Sequence, residues 1–78
     1  MYRVFQNGVR CDDHQIKGWC GKDTFSLKRN AEVYAYMWAY PVSQSDAERY
    51  APEMDIGVEY DYNMFSEGSV FMKIEEEE

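Results

Sequence analysis

Metal ligands are scarce in this chain: two cysteines, Cys11 and Cys20, and one histidine, His14, among 78 residues. A structural zinc site needs four converging ligands, usually with closely paired cysteines, so Asp12 or Asp13 would have to complete the set. Strand alternation opposes that site, because Cys11 and His14 stand three apart and point to opposite faces of a regular strand. Nucleophilic catalysis meets the same shortage, since a thiolate and its base must lie within hydrogen-bond reach of each other. No serine-centred elbow and no glycine-rich phosphate loop compensates. The expectation is a non-enzymatic chain with no catalytic residue, no bound metal and no cofactor, in which Cys11 is a small core residue.

Long apolar runs are missing as well. The longest, Ala31 to Val42, falls short of the roughly 20 residues that span a bilayer. The opening MYRVFQNGVR carries charge and a turn where a signal peptide would need an apolar stretch, so export is not expected. A cytoplasmic setting follows, with Cys11 and Cys20 as thiols rather than a disulfide. Positive charge is in short supply too: eight Lys and Arg face fifteen Asp and Glu, for a net charge of −7. That balance argues against direct contact with nucleic acid or anionic lipid, both of which select basic patches.

What the chain does have is aromatic and apolar content. Hydrophobic residues make up 45% and aromatics 17%, enough to offset the ordering entropy that keeps other acidic chains disordered. One small domain over residues 1–74 is expected, with 75–78 as a solvated acidic tail whose like charges repel. The charge is unevenly shared. Residues 1–40 hold six basic and four acidic groups (+2), while residues 41–78 hold two basic and eleven acidic groups (−9).

Asn7-Gly8 between β-prone stretches is a strong hairpin signal, because a type I′ turn needs positive φ at both central positions. It predicts strands Tyr2–Gln6 and Val9–Asp13, pairing Gln6 with Val9, Phe5 with Arg10, Val4 with Cys11 and Arg3 with Asp12. Beyond it, either the second strand continues or a short third strand forms, returning near Asp23-Thr24-Phe25. From Ser26, a cap by residue type with Asn30 as a later alternative, the period changes: Leu27, Ala31, Tyr34, Ala35, Trp38 and Ala39 fall on one helical stripe, with Lys28, Arg29, Glu32 and Tyr36 around the other side. Pro41 ends that helix near Ala39 or Tyr40.

Val42 to Met54 reads as a polar connector with one helical turn, capped by Ser45 or Asp46 and stopped by Pro52. Ile56, Val58, Tyr60 and Tyr62 then alternate with Gly57, Glu59, Asp61 and Asn63, predicting a strand. Its partner runs from Val70 to Glu75, with Val70, Met72 and Ile74 inward, after a loop holding Ser66 to Ser69. The fold class is α+β: an antiparallel sheet of four to five strands in ββ(β)αββ order, with one main helix over about residues 27–40 on one face. The opposite face is left to solvent or a partner, with Phe5 and Phe71 lying among Arg3, Arg10, Glu59, Asp61 and Lys73.

On the predicted strand Glu59 and Asp61 project from one face about 6.8 Å apart, a spacing like that of successive phosphates. With Glu53, Asp55 and Glu67 they form a row of negative charge suited to a basic groove, and equally a solvated face that keeps a small protein soluble. Phe71, Tyr36 and Tyr40 are candidate apolar anchors, since aromatics dominate interfaces, although tyrosines also commonly rim a small core.

A short acidic chain with an opening hairpin (YRVFQNGVR), a Phe-Ser helix entry (DTFSLKRNAEVYAYMW) and a closing acidic strand pair (IGVEYDYNMF, SVFMKIEEEE) resembles small phage-encoded anti-defence proteins of the anti-CRISPR type. The likeness is one of size, charge and element order. It implies a phage or mobile-element inhibitor that acts in the host cytoplasm by presenting a DNA-mimicking surface to a host protein with a basic groove, such as a CRISPR-Cas or other nuclease component. Two alternatives stand beside it: a structural or regulatory homodimer that buries the open sheet face, and a small metal- or thiol-dependent protein using Cys11, His14 and Cys20.

Overall fold

A computed structural model describes residues 1–11, 24–64 and 68–77. Asn7 and Gly8 adopt φ of 51° and 82°, the two positive values that a type I′ turn requires. They join β1 (Tyr2–Gln6) to β2 (Val9–Arg10), with Gln6 opposite Val9 and Phe5 opposite Arg10. Beyond β2, the Cys11 N–H donates to the Val4 carbonyl at 3.0 Å and both side chains are buried. The predicted partner of Arg3, Asp12, lies outside the described residues; Arg3 forms an ion pair with Glu77 at 2.7 Å. Among the described residues it is Lys73 that lies over the Phe5 ring, 5.8 Å from its centre, where the hairpin alone suggests Arg10.

The expected third strand is β3 (Thr24–Phe25), set against the same edge of β1 opposite Arg3 and Tyr2. The other edge of β1 pairs with β5 (Gly68–Glu76), and β4 (Tyr60–Met64) pairs with β5 in turn. The result is an antiparallel sheet in the order β2-β1-β5-β4, with β3 beside β2 along β1. Val4, Tyr62, Val70, Met72 and Ile74 line its inner face. Across it lies helix α1 (Lys28–Ala39), whose Ala31, Ala35 and Ala39 recur one turn apart and let the helix approach closely while Tyr34 fills the space beside Phe25, 5.0 Å between ring centres. Each of Val4, Met72 and Ile74 contributes about 1.5–3 kcal/mol by its burial.

The chain departs from its sequence pattern in four places. The N-cap of α1 is Leu27, without a side-chain cap, rather than Ser26, and the Leu27 side chain is 61% exposed instead of joining the core stripe. Thr24 and Phe25 are committed to pairing with β1, so the helix opens only after the chain has turned away from the sheet. The connector holds a second helix, α2 (Gln44–Tyr50), capped two or three residues earlier than expected by Ser43, whose hydroxyl accepts from the Asp46 N–H at 3.2 Å. It buries Ala47 and, just past its end, Ala51 against Val33 and Met37, a second apolar side of α1 away from the sheet.

The third departure is the predicted strand over 56–63, which begins only at Tyr60. Gly57 takes φ of 79° and the Val58 N–H donates to the Asp55 carbonyl at 3.4 Å, so Asp55 to Val58 form a β-turn of type II pattern. Ile56 and Val58 are consequently exposed rather than core. Fourth, the acidic end is not a free tail through Glu77. Glu75 and Glu76 continue β5 opposite Arg3 and Tyr2, and the Glu77 N–H donates to the Met1 carbonyl at 2.7 Å. Unpaired strand backbone on β1 and the cation of Arg3 outweigh the mutual repulsion of the carboxylates. At its other end, β5 takes in Gly68 and Ser69 from the expected loop.

Candidate functional site

The connector between α2 and β4 sets the position of the acidic residues, and it is fastened from beneath by one buried carboxylate. Glu32 is 2% exposed; one of its oxygens accepts the Met54 N–H at 2.9 Å, and it takes ion pairs from Arg29 at 3.1 Å and Lys28 at 3.5 Å. The same two cations reach further. Arg29 donates to the carbonyls of Glu48 and Ala51, at 2.9 and 2.8 Å, where the end of α2 leaves oxygens without intrahelical donors. Lys28 lies 3.7 Å from the carboxylate of Glu53. Two cations in the first turn of α1 oppose its dipole, and Glu32 one turn later compensates them.

Met54 is thereby driven into the core, and the chain emerges at Asp55. The Asp55 N–H donates to the Tyr60 hydroxyl at 2.9 Å, and the Gly57 N–H to the Ile74 carbonyl at 2.7 Å, which holds the turn against β5. From this frame Asp55, Glu59 and Asp61 extend into solvent, with exposed Ile56 and Val58 among them. Asp61 accepts from the Ser69 hydroxyl at 3.1 Å and sits directly opposite Phe71, which is 43% exposed on the open face.

The sequence-predicted contact residues therefore divide. Asp55, Glu59, Asp61 and Phe71 share the β4 side of the molecule, and Glu53 stands apart, drawn towards Lys28. Glu59 precedes β4, so it and Asp61 do not form the regular strand ladder that a phosphate-like spacing needs. Tyr36 and Tyr40 do not join them. Both are half-buried on the helix-bearing side, where Tyr36 packs 4.7 Å from Tyr40 and both rings meet Tyr62, at 6.3 and 6.1 Å. Glu67, His14 and Cys20 lie outside the described residues, and Cys11 is a buried core side chain.

Charge is partitioned between the two ends of the sheet. Arg3, Lys28, Arg29 and Lys73 each have a carboxylate partner. Among the described residues Asp46, Glu48, Asp55, Glu59, Asp61 and Glu76 have no cationic partner. Arg10, on β2, is at the far edge of the sheet from Asp61, three strand spacings or about 14 Å away. Sequence reasoning misses Glu32, which looks like part of a solvated charged face. It also misses two buried polar atoms: Trp38 Nε1 and the Tyr62 hydroxyl have no hydrogen-bond partner among the described residues. Burial, with Tyr40 and then Glu32 nearby, pushes the Tyr62 hydroxyl up to about 12.

No family model matches the chain, and neither a curated protein nor a solved structure matches it at a significant level.

Proposed function

We propose that this chain is a non-catalytic inhibitor that binds a host protein through the acidic rim formed by the 55–59 turn and β4. The observation that carries this reading is the group Asp55, Glu59 and Asp61, without a cationic partner among the described residues and held in a fixed frame, while Lys28 and Arg29 at the start of α1 are turned inward to Glu32. Such a surface attracts a basic groove and accelerates encounter with it, while the exposed Ile56, Val58 and Phe71 supply the apolar contact that charge alone does not. Mimicry of DNA on this reading is one of potential, without a periodic carboxylate row. On this proposal, which the resemblance to phage anti-defence proteins of the anti-CRISPR type supports, the partner is a host nucleic-acid-handling complex and the site of action is the host cytoplasm.

Affinity capture from a bacterial lysate, with the wild-type chain and a Glu59→Lys, Asp61→Lys variant as parallel baits, tests the proposal. A nucleic-acid-binding protein should be retained by the wild type only, and released by competing duplex DNA and by moderate salt. Retention that is equal on both baits, or indifferent to DNA, sinks it.

A further inference from the structure

The backbone of β4 offers more than a support for acidic side chains. On β5, Phe71 directs both its backbone groups towards β1: its carbonyl accepts the Asn7 N–H at 2.8 Å and its N–H donates to the Asn7 side-chain oxygen at 3.0 Å. The Ile74 carbonyl points the other way, to Gly57. Successive residues alternate along an antiparallel ladder, so Val70 and Met72 share the orientation of Ile74 and bond across to Tyr62 and Tyr60. Asp61 and Asn63, which oppose Phe71 and Ser69, must then turn their N–H and C=O groups away from the sheet. Among the described residues no strand pairs with that outer edge.

An open edge is a template for another strand, and its neighbouring charges decide which strand can use it. A second copy of this chain is a poor occupant, because two-fold pairing of β4 with itself sets one acidic rim beside another, and like charges on adjacent strands destabilise the pair. A strand bearing lysine on the face it shares with Asp61 meets an opposite charge there instead, with Glu59 just beyond the start of β4. We propose that the outer edge of β4 receives an extended, lysine-bearing segment of the partner protein, which adds to the sheet through the backbone groups of Asp61 and Asn63. This rests on the acidic rim being the contact surface and specifies how that contact is made.

The test titrates isotope-labelled protein with a short synthetic peptide that alternates lysine with valine, with its glutamate counterpart, and with two lysine forms N-methylated on one or the other alternate set of amides. The lysine peptide should bind and slow exchange of the Asp61 and Asn63 amide protons. The glutamate peptide should not bind, and N-methylation of the set that faces β4 should weaken affinity by about tenfold or more, the equivalent of losing one or two net hydrogen bonds. Equal binding by all three lysine forms, with no protection at those amides, overturns strand addition and leaves a contact made by charge alone. Absence of lysine-peptide binding overturns it too, and the acidic-rim reading then stands or falls on the lysate capture. Protection of those amides by concentrated protein without peptide would place a second copy on the edge and overturn the basic occupant.

Discussion

Tyr62 is the residue at which burial and polarity conflict most directly. It is 6% exposed, its hydroxyl has no partner among the described residues, and its ring is fixed by Tyr36 and Tyr40. A buried hydroxyl without a partner costs about 1–3 kcal/mol, so Tyr62→Phe should leave urea stability at neutral pH unchanged or higher. A loss above about 1 kcal/mol would show that the hydroxyl is satisfied after all. The same substitution has an alkaline signature. With the folded hydroxyl titrating near 12 against an ordinary 10, the unfolded chain releases a proton that the fold retains, so stability is intact below pH 10 and falls as pH rises to 12. That fall is on the order of 2–3 kcal/mol at most for this group. The difference between wild type and Tyr62→Phe, followed by urea midpoints across that range, should therefore widen with pH. Of the two buried groups near this cluster, Tyr62 is legible as a core position from strand alternation, whereas Glu32 is not. A glutamate beside Lys28 and Arg29 reads as surface because nothing local reveals that the Met54 N–H, 22 residues away, will need an acceptor.

At the scale of elements, the hairpin and the inward set of β5 could be read directly, because their signals are local: two residues with the required φ, and a strict alternation from Val70 to Ile74. The strand over 56–63 had the same alternation and failed in its first half. Gly57 explains why, since a glycine that can take positive φ gives the chain a turn, and the bonds of that turn to Asp55 and Ile74 replace two ladder positions. The side of α1 that carries Val33 and Met37 was hidden for a different reason: it acquires meaning only once α2 exists to cover it. Gly57→Ala isolates the turn. No heavy atom lies within 4 Å of a Cβ built there, so the cost comes from φ of 79° alone, about 1 kcal/mol. Thermal unfolding should show that loss with the fold unchanged. An alanine variant as stable as wild type would mean that the turn relaxes to negative φ, and with it the placement of Asp55 and Glu59.

Over the whole molecule, the acidic imbalance becomes a direction. Negative charge gathers on the connector and the β4 edge, Arg10 faces outward at the β2 edge, and most of the remaining cations are spent on partners within the fold. The principal extents are 36 × 24 × 22 Å, so at about 0.01 M salt, where screening reaches about 30 Å, the exposed carboxylates repel one another across the molecule; at about 0.15 M that reach is about 8 Å. Unfolding separates these charges, so repulsion favours the unfolded chain and salt should relieve it. Two effects run the other way and are smaller. The half-buried pairs Arg3–Glu77 and Lys73–Glu75 are worth about 1 kcal/mol each and lose only part of that, and the ion pairs to the buried Glu32 are screened less. The melting temperature should therefore rise as sodium chloride increases from about 0.01 to about 0.15 M, by roughly 4–8 °C for each kcal/mol of repulsion removed. A Glu59→Lys, Asp61→Lys variant should rise less, because its rim is already neutralised. A melting temperature that falls with salt would mean that the ion pairs outweigh the repulsion, and that the β4 rim is not the concentrated source of negative potential on which partner attraction depends.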